Sequence, residues 1–194
     1  MSQEQNQLLY VVNNFQRIID KSEYETIESL LTSFPQSAEA QFLAGSYFAE
    51  KQDYYVAKSH FMNAIEANKE YDIARFQLCF LAVLNKDFET FDLSSRHFFD
   101  SELVSYYQLF AKALSYILED LTIEAVKLIE EGILLNKENA SLNQNMKLII
   151  EIISKLKDTE LSEGVQTNTH QLNDDEVSAE TNSVLLDIYK NKFN

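Results

Sequence analysis

The same order of small and large residues occurs twice in this chain, and the two copies begin 68 positions apart. In the first copy, over residues 38–71, the series is Gly45, Phe48, Ala57, Phe61 and Ala64. In the second copy, over residues 106–139, it is Ala113, Tyr116, Ala125, Ile129 and Gly132. Each copy fits two antiparallel helices, in which small residues allow close approach and large residues fill the gap between the helices. In the first copy these helices are expected at residues 38–51 and 54–67. The pattern therefore predicts a helical repeat.

A stretch of 34 residues, 72–105, separates the two copies and has the length of one further unit. Its first half continues the pattern acceptably, with Leu78, Cys79 and Ala82. In its second half, Phe91 and Phe98 take positions that small residues hold in the first copy. Because two rings at such positions would push a helix outward, we expect local distortion over residues 88–100.

This small–large–small–large–small series resembles the tetratricopeptide repeat, whose unit is about 34 residues long. Gln41 and Lys69 depart from the family's pattern, which often has Trp and Pro at these positions. The resemblance implies an all-α, right-handed solenoid of antiparallel helix pairs. It places three repeats at 38–71, 72–105 and 106–139, and it is strong over residues 38–157 and weak over the first 37 residues.

The flanking sequences add helices at both ends of the repeats. Residues 140–157 predict a helix that caps the last repeat. Its apolar stripe consists of Met146, Ile149, Ile150, Ile153 and Leu156. Residues 3–20 and 23–33 predict an N-terminal helical pair, within residues 1–37, that is either a degenerate repeat or a plain cap. With only three glycines and one proline, the composition also favours helices over turn-rich strands.

The character of the sequence changes at residue 158. Residues 158–182 carry seven acidic residues and no Lys or Arg, which predicts a flexible acidic linker. The short C-terminal segment 183–194 then carries an apolar tail motif at helical spacing. The tail motif consists of Val184, Leu185, Ile188, Tyr189 and Phe193. Such a short helix is stable only when docked, so the tail either covers its own chain or a second copy, or is a bait for another protein, or has no role.

The net charge of −15 limits the classes of partner. It argues against nucleic acid as the main partner and against an anionic membrane surface, since both attract basic proteins. No apolar run approaches the roughly 20 residues that span a bilayer, so we expect no membrane insertion. The first residues lack the features of a signal peptide. We expect a cytoplasmic protein.

The sequence shows no catalytic or metal-binding constellation. His60, His97 and His170 have no Cys or His at metal-ligand spacing, and the glycines are too far apart for a phosphate-binding loop. Cys79 lies within an apolar helical pattern and is expected to be a small buried residue. We expect a protein that is not an enzyme, with no cofactor and no metal.

By resemblance, the first helices of successive repeats line a concave groove. The positions implied to face it are Phe42, Ile73, Phe76, Phe80, Val83, Leu84, Tyr107, Phe110, Leu114, Ile117 and Leu118. These side chains are apolar or aromatic, whereas family members that grip a peptide carboxylate use Lys and Asn there. We therefore expect the groove to bind an apolar helix or extended segment of a protein partner. In the alternative interpretation the superhelix is tight or distorted, and these residues are simply core.

The favoured interpretation is a non-catalytic scaffold or adaptor for protein–protein interaction. One alternative is a small cytosolic chaperone or assembly factor for a secretion or membrane-complex subunit. Another is a self-associating structural subunit. The repeat serves many processes, so the fold alone does not choose among these functions.

Overall fold

The computed structural model describes residues 2–163, with side chains as far as Lys155. This part of the chain contains ten helices and no strand, which confirms the predicted all-α class. The helices are α1 (Gln3–Asn13), α2 (Phe15–Asp20), α3 (Tyr24–Ser33), α4 (Ala38–Glu50), α5 (Tyr54–Ala67), α6 (Asp72–Leu84), α7 (Phe88–Phe99), α8 (Tyr106–Leu118), α9 (Thr122–Leu135) and α10 (Ala140–Glu163). The predicted tail motif, and the linker from residue 164 onward, lie outside the described residues.

The chain divides into two compact units, Met1–Asn85 and Lys86–Asn194. The division falls between α6 and α7, inside the stretch 72–105 that the sequence predicts as the second repeat. Each unit has buried residues of its own and is described by itself below.

In the first unit, α4 and α5 lie in close contact. A Cβ atom on residue 45 would lie 2.7 Å from Cδ1 of Phe61, so the helices approach this closely only because residue 45 is glycine. On its other side α4 packs against α1 and α3. The core formed there includes Val11, Ile18, Ile27, Leu30, Leu43, Ala44 and Tyr47.

In the second unit, α8 and α9 form the corresponding close pair. A Cβ atom on residue 132 would lie 2.3 Å from Cε1 of the buried Phe110. α7 packs against α8, and α10 packs against α9 through one apolar face. The buried residues of that face are Leu142, Met146, Ile149 and Ile153.

Four turns between helices share one backbone conformation. Ser22, Gln52, Lys86 and Asp120 have positive φ angles of 54°, 61°, 56° and 60°. The last three of these residues are 34 positions apart, so the period of the sequence recurs in the local backbone. At Gln52 the turn is a Schellman motif, because the Asp53 amide donates to the Phe48 carbonyl (2.9 Å) and the Gln52 amide donates to the Ala49 carbonyl (3.0 Å).

Two helix boundaries differ from the sequence-based expectation. The segment 3–20 is broken at Asn14, whose side chain donates a hydrogen bond to the Tyr10 carbonyl (2.8 Å) and so competes with the helical pattern. The final helix was expected to end at residue 157 but continues to Glu163, so the first six residues of the predicted linker are helical.

Within residues 88–100, where the sequence predicts distortion, α7 is itself a regular helix, and the outward displacement of that helix stays a prediction. α7 runs without interruption over its twelve residues. Phe91 and Phe98, the two rings at small-residue positions, are both buried.

Candidate functional site

The eleven residues implied to line a groove are distributed over both units, and none of them is fully exposed. The six buried residues are Phe76, Val83, Leu84, Phe110, Leu114 and Ile117. The half-buried ones are Phe42, Ile73, Phe80, Tyr107 and Leu118. For the six buried residues, burial accounts for the apolar character without a partner, as in the alternative interpretation. The remaining five retain accessible surface, and their part in binding stays a prediction.

Phe42 belongs to an aromatic cluster in the first unit. Its ring centroid lies 5.8 Å from that of Phe61 and 5.7 Å from that of Tyr71, which it meets edge to face. Burial, and then the nearby Glu39 carboxylate, raise the pKa of Tyr71 to about 12. Tyr71 is therefore neutral. Phe42 packs largely against aromatic residues of its own unit.

Gln41 supports a polar clamp between α4 and α5, at the position where the tetratricopeptide family often has Trp. Its Nε2 donates to the Pro35 carbonyl (3.0 Å), so its Oε1 is the end that faces His60 Nδ1 at 2.8 Å. Neutral His60 must then donate from Nδ1. The His60 ring stacks on Phe48 with centroids 5.5 Å apart, and burial lowers the pKa of His60. His60 therefore has a structural role, because both of its observed contacts are with residues of α4, the other helix of the pair.

Aromatic side chains also cluster in the second unit, at the start of α8. Tyr107 stacks on Phe98 of α7 with centroids 5.9 Å apart, and Tyr106 lies 4.3 Å from Tyr107 and 6.1 Å from Phe110. The cluster joins α7 to α8 beside the loop that connects them.

That loop, residues 100–105, presents two adjacent apolar side chains to solvent. Leu103 is 81% exposed and Val104 is 67% exposed. Gln108 Nε2 donates to the Phe98 carbonyl (2.9 Å) and more weakly to that of Ser101 (3.4 Å), which ties the loop to both helices. The Ser101 hydroxyl accepts a hydrogen bond from the Leu103 amide (3.3 Å). We call Leu103 and Val104 the apolar loop pair.

Sequence reasoning missed the apolar loop pair, although a signal exists. The stretch DSELVS places two large aliphatic residues between a helix end and Ser105, which caps α8 by accepting a hydrogen bond from the Gln108 amide (3.1 Å). Aliphatic residues in a short loop do not lie on a helix face that packs against a neighbouring helix. Their exposure is therefore expected once the cap at Ser105 is recognised.

A cleft of about 740 Å³ lies in the first unit, between α1 and α3. Its lining includes the side chains of Tyr10, Val11, Glu25 and Leu30. The Oε1 atom of Gln7, which also lines the cleft, is buried and has no hydrogen-bond partner. The lining combines the Gln7 amide, the Glu25 carboxylate and the Tyr10 phenol with aliphatic groups.

Within the described residues, no three His, Cys, Asp or Glu side chains gather in a way that would hold a metal ion. Cys79 is buried in α6. Over the same part of the chain, none of the helices combines the length and the apolar character needed to cross a bilayer.

Comparison with protein-family models, with curated proteins and with solved structures gives no match.

Proposed function

We propose that this protein is a non-catalytic binding protein built on a tetratricopeptide-like helical repeat, and that it holds an apolar segment of a partner protein. Two kinds of observation support the repeat. The left-handed turn residues Gln52, Lys86 and Asp120 recur every 34 positions. The equivalent small residues Gly45 and Ala113, and Ala64 and Gly132, are also all buried in the two close helix pairs.

The apolar loop pair carries the proposal for binding. Large side chains exposed to this degree are unfavourable in water, and a Leu or Val that becomes buried contributes about 1.5–3 kcal/mol. The Gln108 bond to the Phe98 carbonyl links the two helices that flank the loop, and weaker bonds at Ser101 order the loop between them. Little conformational entropy is then lost when a partner binds, which makes the pair suitable as an anchor.

The surroundings of the pair indicate the chemistry of the partner. Asp100 and Glu102 are exposed beside it, and the half-buried Tyr107 follows it in the next helix. The whole chain carries a charge of −15. A partner segment with an apolar centre and basic flanks would bury the pair and bring opposite charges together.

A site-specific photo-crosslinker tests the proposal. We expect p-benzoylphenylalanine in place of Val104 to crosslink a different protein in lysate of the source cells. The matched control carries the same group in place of Tyr55, which lies on α5 of the first unit and is 81% exposed, more than Val104 at 67%. The control should give no such product.

Two results would contradict the proposal. One is the same set of products from both positions, which would mean nonspecific contact. The other is a product from position 104 that contains only a second copy of this chain, which would replace the adaptor with a self-associating subunit.

A further inference from the structure

The outer face of α7 combines exposed rings with opposite charges. Phe88 is 57% exposed and Phe99 is 42% exposed, at the two ends of the helix. Between them, the Arg96 guanidinium lies 2.8 Å from the Asp92 carboxylate, and both side chains are more than half exposed. These four residues follow one another at spacings of four, four and three, so they lie along a single stripe of the helix.

The inner face of α7 is already occupied by the core of its own unit. Phe91 and Phe98 are buried and lie roughly 100° around the helix from the stripe, and the buried Ser95 lies at the edge of the stripe. The stripe therefore adjoins the surface that holds α7 in place, and its own four side chains remain outside that surface.

We propose that the stripe of Phe88, Asp92, Arg96 and Phe99 binds the same stripe of a second copy of this chain, with the two α7 helices antiparallel about a two-fold axis. In a two-fold interface each residue contacts its counterpart reciprocally. The midpoint between Asp92 and Arg96 falls on the same turn of α7 as the midpoint between Phe88 and Phe99. One register therefore places Asp92 opposite the partner's Arg96 and Phe88 opposite the partner's Phe99.

The charge of the chain favours this face over others for self-association. Two copies that each carry −15 repel one another at most surfaces. The middle of the stripe carries one negative and one positive side chain, so it is locally neutral. In the antiparallel arrangement, the Asp92–Arg96 ion pair within each helix is replaced by ion pairs between the two helices. It also covers four exposed phenylalanines, two from each copy.

The size of the face sets the expected strength. A helix of twelve residues is about 18 Å long, so the contact is small for a protein–protein interface. We expect a dissociation constant of roughly 10–100 μM, as for weak and transient contacts. This inference does not depend on the proposed binding of another protein.

Sedimentation equilibrium of the full chain tests the proposal, together with a charge-exchange experiment. Asp92→Arg leaves two positive charges in the stripe, and Arg96→Asp leaves two negative ones. Each variant alone should have a dissociation constant raised at least about tenfold, because like charges then face each other. An equimolar mixture of the two should dimerise again, since each copy carries the charges that complement the other.

A control on another face distinguishes this interface from nonspecific association. Leu134→Glu alters an exposed aliphatic residue of α9 in the same unit and should leave self-association unchanged. If a single variant fails to fold, the double exchange Asp92→Arg with Arg96→Asp keeps an oppositely charged pair in the helix. That double variant should dimerise as the wild type does.

Three outcomes would overturn the inference. The first is a wild-type chain that stays monomeric throughout a concentration range up to about 1 mM, well above the expected constant. The second is a mixture of folded single variants that shows no recovery of the dimer. The third is loss of the dimer in Leu134→Glu, which would move the interface to α9.

Discussion

Gly132 of α9 lies directly against the ring of Phe110 of α8, so that a Cβ atom at position 132 would come within 2.3 Å of Cε1 of that ring. Phe110 is completely buried. The contact therefore couples the identity of residue 132 to the separation of two helices.

Gly132→Ala should destabilise the protein, although Ala is normally the better helix former by about 0.5–1 kcal/mol. We expect a loss of about 1–3 kcal/mol in the free energy of unfolding, measured by urea denaturation, because the added methyl group overpacks the contact. In a Phe110→Leu background the same substitution should cost less. An equal loss in both backgrounds would show that the ring is not the cause.

Glycine at the left-handed turn residues should stabilise the protein. Gln52 and Asp120 adopt φ angles near 60°, a conformation that costs an ordinary L-residue roughly 1–2 kcal/mol and costs glycine little. We expect Gln52→Gly and Asp120→Gly each to raise the free energy of unfolding by about 1 kcal/mol. Glu119→Gly serves as the control, because Glu119 has a φ of −94°. A gain of the same size in the control would contradict this explanation.

Asn136 should be far more sensitive to substitution than its counterpart Asn68, 68 positions earlier. Asn136 is buried, donates to the Asn139 carbonyl and to Asn143 Oδ1 (both 2.9 Å), and accepts from the Glu138 amide (3.1 Å). Asn136→Ala leaves partly buried partners unpaired, so we expect a loss of about 2 kcal/mol in thermal or urea denaturation.

The control for that experiment is Asn68→Ala. Asn68 is exposed and accepts a hydrogen bond of the same length from the Glu70 amide (3.1 Å). Its removal should cost less than about 1 kcal/mol, because water can replace the lost partner. Similar losses at the two positions would mean that burial does not set the cost.

His60 should make the stability of the protein depend on pH. Burial lowers the pKa of His60 in the folded state below its ordinary value of 6.5. Between those two pKa values the unfolded chain binds more protons, so the free energy of unfolding falls as the pH drops below about 6.5. Urea denaturation at about pH 7.5 and about pH 5 should show a smaller decrease for His60→Gln than for the wild type. An identical decrease in both proteins would exclude His60 as the source.

The helices of the first predicted repeat follow closely from the sequence. Residues 38–51 and 54–67 were expected to be helical, and the structure has α4 at Ala38–Glu50 and α5 at Tyr54–Ala67. The starts agree because Ser37 and Asp53 are good N-caps, and each accepts a hydrogen bond from an amide of the first turn. The break at Asn14 was missed, because a side chain that bonds to the backbone carbonyl four residues earlier leaves no trace in the hydrophobic periodicity.

The candidate site was harder to predict than the helices. Periodicity identifies the apolar face of a helix such as α8, but it does not say whether a neighbour covers that face. Phe110 and Leu114 were implied to line a groove, and the structure buries both. Tertiary packing decides such exposure, so residue spacing alone does not provide it.

Glycine commonly occupies left-handed turn positions, but the described residues use it inside helices instead. Gly45 and Gly132 both lie within helices at close contacts, whereas the left-handed turns of the described residues carry Ser, Gln, Lys and Asp. For protein engineering, stability can be improved at the left-handed turns but not at the glycine contacts within helices. The turns accept glycine and leave the core unchanged, so several such edits should combine additively. The helix contacts already use the smallest residue available, and any added atom there would widen the spacing on which the rest of the packing depends.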